Sequence, residues 1–270
     1  MLFIGRFRFS SQVIQAGTDG TVSMGLQHPA SDGDDAAAAS QFSVKLKRAY
    51  TVTASPVLSK VVRVGSGERA LDVGYVKLAE FNSVGARQVG DALRSMAERK
   101  VGGYVLDLRG NRGGVLEGAL EIGGFFMGKG VPVVNVIDGF GAKTVYAATE
   151  EALVPAGAPV AVLVDSGSAS ASEVLAGALR DRCRATIIGE RTYGKGVIQG
   201  VFGMRNGGAV ILTLAKYQSP AGTEINGIGV LPNVDTWLKS TSLPPLLDGD
   251  IDFAVHAAQD SAGQACSTSP

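Results

Sequence analysis

Histidine is almost missing from this chain: there are two in 270 residues, His28 and His256. A metal site with two or three imidazole ligands has nothing to be built from, and a serine nucleophile has few imidazole bases to choose between. His28 stands just ahead of Pro29, and His256 lies on a C-terminal amphipathic segment. Both read as surface or packing residues. Cysteine is equally scarce. Cys183 and Cys266 have no C-x-x-C spacing, so neither a zinc knuckle nor a disulfide framework is indicated. An excess of one charge is absent too. Lys plus Arg is 25 and Asp plus Glu is 25, which argues against nucleic-acid binding through a broad basic face. No apolar run reaches membrane-spanning length. The best stretch, residues 158–179, is broken by Asp165 and a serine cluster, so an integral membrane protein is not expected. Residues 1–18 carry Arg6 and Arg8 and no acid, but they have no apolar core followed by a small-residue cleavage site, so there is no clear signal peptide.

What is present is enough for a sizeable core, since 45% of the residues are hydrophobic. Glycine is abundant, 37 residues against a usual share of about 7%. The glycines show no fixed period, so they read as tight turns and close backbone approaches. Residues 1–41 are expected to be irregular or disordered, with an acidic, Ala-rich linker at 30–41. Residues 42–48 (FSVKLKR) alternate like an edge strand. Residues 72–81 read as a strand. Asn82 or Ser83 can then cap a helix with Val84, Val89, Ala92, Leu93 and Met96 on its apolar face.

Short apolar runs then alternate with helical segments. Strands are expected at 104–108, 131–137, 159–164 and 185–188, and helices at 115–127 and 170–181. That alternation predicts an α/β fold with a largely parallel sheet. Residues 197–204 and 209–217 follow without helices, as an antiparallel addition. Ile251, Ala254, Val255 and Ala258 mark a terminal amphipathic helix, and the tail from 261 is expected to be disordered.

Three glycine-rich segments could carry chemistry. In residues 162–179 (VLVDSGSASASEVLAGAL) a buried strand runs into a serine-rich helix start. A serine there is accessible and sits beside free helix N–H groups, which is what an acyl-transfer nucleophile needs. The same serines also read simply as helix caps. A base other than histidine has to be a lysine with a depressed pKa, and Lys195, between Gly194 and Gly196, fits an uncharged, shielded turn. Gly189 to Lys195 also matches the start of a phosphate-binding loop. Gly196 stands where that loop needs Ser or Thr, and a strand pattern follows where it needs a helix. In residues 106–120 a strand leads through Asn111 and Arg112 to Gly113 and Gly114, whose N–H groups could approach a ligand closely.

Together these segments resemble the carboxyl-terminal processing peptidases, the tail-specific serine proteases of bacteria and chloroplast lumens. Residues 107–114 match the family's D-L-R-x-N-x-G-G segment. Residues 167–173 match G-[ST]-A-S-A-S-E, and 189–199 match G-E-[KR]-T-[FY]-G-K-G-x-x-Q. The resemblance covers about residues 70–260. It implies a crotonase-like α/β core of βα units with an added antiparallel β region. It also implies a serine endopeptidase with a Ser–Lys dyad that cuts near the C-terminus of its substrates. Ser170 would be the nucleophile, Lys195 the general base and Gln199 the group that orients the lysine. Backbone N–H groups of Ala171 and of Gly113 or Gly114 would form the oxyanion hole. No metal or cofactor is implied. The partners implied are unstructured C-terminal tails of proteins, in a thylakoid lumen or a periplasm. Asn233 stands where the family usually has Asp. Residues 42–69 resemble only the end of a PDZ domain, so the chain is expected to be a PDZ-less member. A weakly active or inactive, peptide-binding remnant is the alternative.

Overall fold

The computed structural model describes residues 8–16, 21–27, 41–47, 55–65, 70–204, 208–235 and 248–262. The chain divides into two compact units, one of residues 1–54 and 201–212, the other of residues 55–200 and 213–270. The first unit holds strands β1 (Arg8–Ala16), β2 (Thr21–Gln27) and β3 (Gln41–Lys47). They form an antiparallel sheet in the order β1-β2-β3. Strand β3 falls where the alternating FSVKLKR segment is expected. The irregular segment expected before it has to be corrected, because β1 and β2 lie within residues 1–41. Of the expected linker at 30–41, residues 30–40 lie outside the described residues and Gln41 opens β3; of the tail expected from 261, residues 261–262 are instead the end of helix Asp248–Ala262 and 263–270 lie outside the described residues.

The second unit starts with β4 (Val57–Val64) and β5 (Leu71–Leu78), followed by helix α1 (Ser83–Glu98). Asn82 caps α1, its side chain accepting the Gly85 N–H at 2.7 Å. The buried face is Gly85, Ala86, Val89, Gly90, Leu93 and Met96. Val84, expected on that face, is 46% exposed, because the stripe begins one residue later. Next come β6 (Gly103–Asp107), α2 (Leu116–Met127), β7 (Pro132–Asp138), β8 (Lys143–Ala147) and β9 (Val160–Val164). The chain continues through α3 (Ala171–Asp181), β10 (Thr186–Gly189), β11 (Val197–Gly203), β12 (Ala209–Gln218), β13 (Val234–Asp235) and α4 (Asp248–Ala262).

A six-stranded sheet runs β13-β10-β9-β6-β5-β4. It is parallel from β13 to β5, and β4 pairs antiparallel with β5 at its edge. Its central strands are buried on both faces, which is why β9 reads VAVLV without alternation. On one face Val73, Tyr75, Val105, Ala161, Leu163 and Ile188 pack against Ile251, Ala254, Val255 and Ala258 of α4. The other face, with Leu78, Leu106, Val162 and Ile187, packs against α1, α2 and α3. Removing a large side chain such as Leu163 or Leu175 would cost about 2–5 kcal/mol.

The α/β class matches the expectation, with one reassignment. Strand β7 lies outside the parallel sheet, in a second sheet ordered β11-β12-β7-β8, and it pairs antiparallel with both β12 and β8. Its apolar run would look the same in either sheet, since Val133 and Val134 are buried by packing on α3 and α2. Cys183, just beyond α3, is disulfide-bonded. A single bridge leaves no local spacing to read, and Cys266 lies outside the described residues.

Candidate active site

The parallel strands β6 and β9 end side by side, and the loops that leave them build the site. After β9 the chain turns at Asp165 and enters α3 through Ser170. Ser170 has φ 57° and ψ −115°, one of three non-glycine residues with positive φ among the described residues. Such a conformation costs on the order of 1–3 kcal/mol and persists only if its surroundings hold it. Here they do. The Ser170 N–H donates to Glu173 Oε2 at 2.9 Å, and the Ser170 carbonyl accepts from the Glu173 and Val174 N–H groups. The neighbouring serines are structural. Ser168 and Ser172 are fully buried. Ser168 Oγ donates to the Leu108 carbonyl at 2.9 Å and Ser172 Oγ to the Asn111 carbonyl at 2.8 Å. Ser170 alone of the three is partly exposed.

The loop after β6 is held at both ends. Asp107, fully buried, accepts from the Tyr75 hydroxyl at 2.7 Å, from the Arg109 guanidinium at 2.9 and 2.8 Å and from the Lys77 amine at 3.4 Å. Burial alone would raise the Asp107 carboxyl. The Arg109 hydrogen bonds and charge, with Lys77, hold it below the usual carboxylate range. Tyr75 is pushed up, first by burial and then by the Asp107 charge. Asp165 Oδ1 accepts the Gly110 N–H at 2.8 Å, tying this loop to the next. In the middle, Asn111 is fully buried. Its Nδ2 donates to the Leu78 carbonyl at 2.9 Å, and its carbonyl accepts the Ala169 N–H at 3.0 Å.

Asn111 also decides between the two glycines. Its Oδ1 accepts the Gly113 N–H at 2.8 Å, so that donor is already engaged. The N–H groups of Gly114 and Ala171 have no acceptor among the described residues. Glycine is needed at 113: a Cβ there would lie 2.8 Å from the Ser170 Cβ and 3.0 Å from the Ala171 nitrogen, and φ is +98°.

The third loop, residues 190–196, is fastened to the Ser170 turn by one carboxylate. Glu173, fully buried in the first turn of α3, accepts from the Thr192 hydroxyl and the Gly194 N–H at Oε1. At Oε2 it accepts from the Lys195 N–H at 2.8 Å, beside the Ser170 N–H. The same atom therefore orders the backbones of Ser170 and Lys195. In the sequence Glu173 is only the last letter of a motif, and nothing there assigns it a role. The signal that could have found it is an acid at the third position of a helix next to Gly-rich turns.

Not everything expected is met. The Lys195 side chain is exposed rather than shielded, and no bond joins it to the Ser170 hydroxyl among the described hydrogen bonds. Gln199 lies on β11 and is also exposed. A strand, not a helix, follows Lys195, so a phosphate has no helix N-terminus to rest on there. Asn233 is structural. Its Oδ1 accepts the Ile187 N–H at 2.8 Å, and its own N–H donates to the Ile187 carbonyl at 2.7 Å. His256 is exposed on α4, with Nδ1 2.8 Å from the Asp252 carbonyl of its own helix. His28 lies outside the described residues. No described helix is long and apolar enough to cross a membrane.

The model of peptidase family S41 matches residues 72–236, the stretch that contains all three loops. The chain belongs to this family. Its expected crotonase-like α/β core is the fold of S41 proteases of known structure, among them the photosystem II D1 C-terminal processing protease. That structure superposes with a TM-score of 0.63 at 35% identity, covering 81% of this chain and 56% of its own. The chain is 41% identical over 183 residues to the chloroplastic carboxyl-terminal-processing peptidase 2 of Arabidopsis thaliana, covering 67% of this chain and 35% of that protein. It is 41% identical over 197 residues to the chloroplastic C-terminal processing peptidase of Tetradesmus obliquus, covering 73% of this chain and 41% of that protein. The chain thus spans less than half the length of these curated relatives.

Proposed function

We propose that this chain is the catalytic part of a serine endopeptidase that cuts protein substrates near their C-terminus through an acyl-enzyme. Ser170 is the nucleophile and Lys195 the general base. The observation that carries this reading is the Glu173 carboxylate, whose Oε2 accepts from the backbone N–H groups of both Ser170 and Lys195. The strained, partly exposed Ser170 at the start of α3 supports it.

The chemistry balances without a cofactor. Lys195, as the neutral amine, takes the proton as Ser170 Oγ attacks the scissile carbonyl. The oxyanion accepts from the Ala171 and Gly114 N–H groups, the two open donors, with the N-terminus of α3 adding positive potential. The ammonium of Lys195 returns the proton to the departing amine, leaving Ser170 acylated. Water then attacks the ester, again with Lys195 as base. The neutral amine requires exclusion of water, because desolvation disfavours the charged form. The bound substrate tail supplies that cover over a lysine that is otherwise exposed. Gln199, four residues on, orients the amine once it is covered.

The test is cleavage of an unstructured C-terminal peptide, with the acyl-enzyme trapped and weighed by mass spectrometry. Ser170→Ala and Lys195→Ala should each abolish turnover, and the Ser170 adduct should be absent from the first variant. A second reading, a peptide-binding remnant of low activity, is favoured by the exposed Lys195. Peptide binding without turnover by the full chain would establish that reading in place of the first.

A further inference from the structure

Asn111 takes no part in the proton transfers, yet it is fully buried and every polar atom it has is engaged. Its carbonyl reaches across to the Ser170 turn. There it accepts the Ala169 N–H at 3.0 Å and the Ser172 hydroxyl at 2.8 Å. Ser170 and Ala171 are the two residues between those anchors. One oxygen atom therefore holds both ends of the segment that carries the Ser170 hydroxyl and the open Ala171 N–H.

The side chain of Asn111 governs its own loop. Oδ1 accepts the Gly113 N–H at 2.8 Å, two residues on, which makes an Asx turn. Nδ2 donates to the Leu78 carbonyl at 2.9 Å, at the end of β5. Just beyond β5, the Phe81 N–H donates to the Gly113 carbonyl at 2.9 Å and the Phe81 carbonyl accepts the Val115 N–H at 2.9 Å. Gly114 is thus held between two bonded neighbours, and its own N–H is left over. The loops of the two open donors meet at this point, since a Cβ at Gly113 would lie 3.0 Å from the Ala171 nitrogen. Removal of the Asn111 side chain would keep the anchors on its carbonyl but release the Asx turn that leads into Gly114.

We infer that Asn111 is a positioning residue: it sets the Gly114 N–H against the Ala171 N–H so that both reach one developing oxyanion. This rests on reading Ser170 and Lys195 as the catalytic pair. Asn111 touches neither the substrate nor the reacting atoms and acts only through the two backbone donors. Donors aimed at charge that develops in the transition state raise kcat and leave substrate binding alone. A misplacement of about 1 Å in such a site is worth about a hundredfold in rate.

The experiment uses the full chain, a cleavable tail peptide and an aldehyde that ends at the cleavage position of that peptide. Ser170 Oγ adds to the aldehyde carbon, the carbonyl π bond opens and the Oγ proton passes to Lys195, so the oxygen of the adduct takes the place of the oxyanion. Asn111→Ala is expected to lower kcat per folded molecule about a hundredfold with KM within about twofold, and to weaken the aldehyde by the same factor. A serine can form the same turn more weakly, so Asn111→Ser should recover part of both. If Asn111→Ala does not fold, Asn111→Ser decides, with about a tenfold loss expected in kcat and in aldehyde affinity alike. Asn135 supplies the comparison: it is 2% exposed and donates to the Ser219 carbonyl at 2.8 Å, outside the three loops. Asn135→Ala should lower Tm and leave kcat per folded molecule unchanged. The inference is overturned, with the Ser170 and Lys195 chemistry left standing, by any of three results: no loss of kcat in the Asn111 variants, an aldehyde affinity that does not follow kcat, or an equal loss in Asn135→Ala. Cleavage that Ser170→Ala does not reduce, or no cleavage by the unsubstituted chain, overturns the catalytic reading and this inference with it.

Discussion

The Ser170 turn and the Lys195 loop are built on opposite plans. Around Ser170 the side chains are buried and bonded: Ser168, Ser172, Asn111 and Glu173 are all inaccessible, and each has a named partner. Around Lys195 the backbone and the Thr192 hydroxyl are fixed. Gly194 and Lys195 donate to Glu173, whereas the side chains of Tyr193, Lys195 and Gln199 stand in water. The difference teaches that the fold itself orders the turn of Ser170, the proposed nucleophile, and leaves the side chain of Lys195, the proposed base, unheld.

The largest expected effects lie in activity. Ser170→Ala should lower kcat by at least about a thousandfold, as removal of an activated nucleophile does. Lys195→Ala should do nearly the same. Neither should lower Tm by more than a degree or two, since changes at exposed or strained positions remove little packing; about 0.5 kcal/mol is the usual limit for exposed sites. A large drop in Tm for Lys195→Ala would break the comparison.

Glu173→Gln sits between the two regions. Its new NH2 would face backbone donors, so a stability loss of about 1–3 kcal/mol is expected, with kcat reduced further than the fraction unfolded explains. Thermal melting and turnover of the same preparation decide it. Ser168→Ala and Ser172→Ala should each cost about 0.5–1.5 kcal/mol, because the Leu108 or Asn111 carbonyl loses one of its two donors. Turnover per folded molecule should change little.

The smallest effects concern pH. Asp107 is held below its ordinary range, so its contribution to stability is present above the unfolded carboxyl value of about 3.9 and is lost as pH falls through the folded value. Tyr75 is raised, so its contribution is full below about 10 and declines as pH rises further. Asp107→Asn should flatten the acid limb of the melting profile and Tyr75→Phe the alkaline limb. Unchanged limbs in both variants would remove this pair from the electrostatics of the site.

Local pattern was enough for several elements. The run VAVLV is a buried strand, the 3.6-residue stripe of α1 is present from Ala86 to Met96, and Ile251, Ala254, Val255 and Ala258 do face the sheet. Other features have no local signature. β8, KTVYA, is too exposed to alternate clearly, and β7 changes sheet because its partner β12 lies some eighty residues away. The role of Glu173 was equally hidden, since its donors come from a loop about twenty residues on.

By itself the sequence determined the class of the fold, the three glycine-rich loops and the residue types within them. Scarce histidine left a serine with a lysine as the pair to consider, and a motif can encode that because it is chemistry carried along the chain. Only the tertiary structure decided which serine is partly exposed, which glycine N–H is engaged and which carboxylate joins the two loops. Those are properties of hydrogen bonds closed between distant segments. A polar group shows whether it is spent or open only once its neighbours through space are in place.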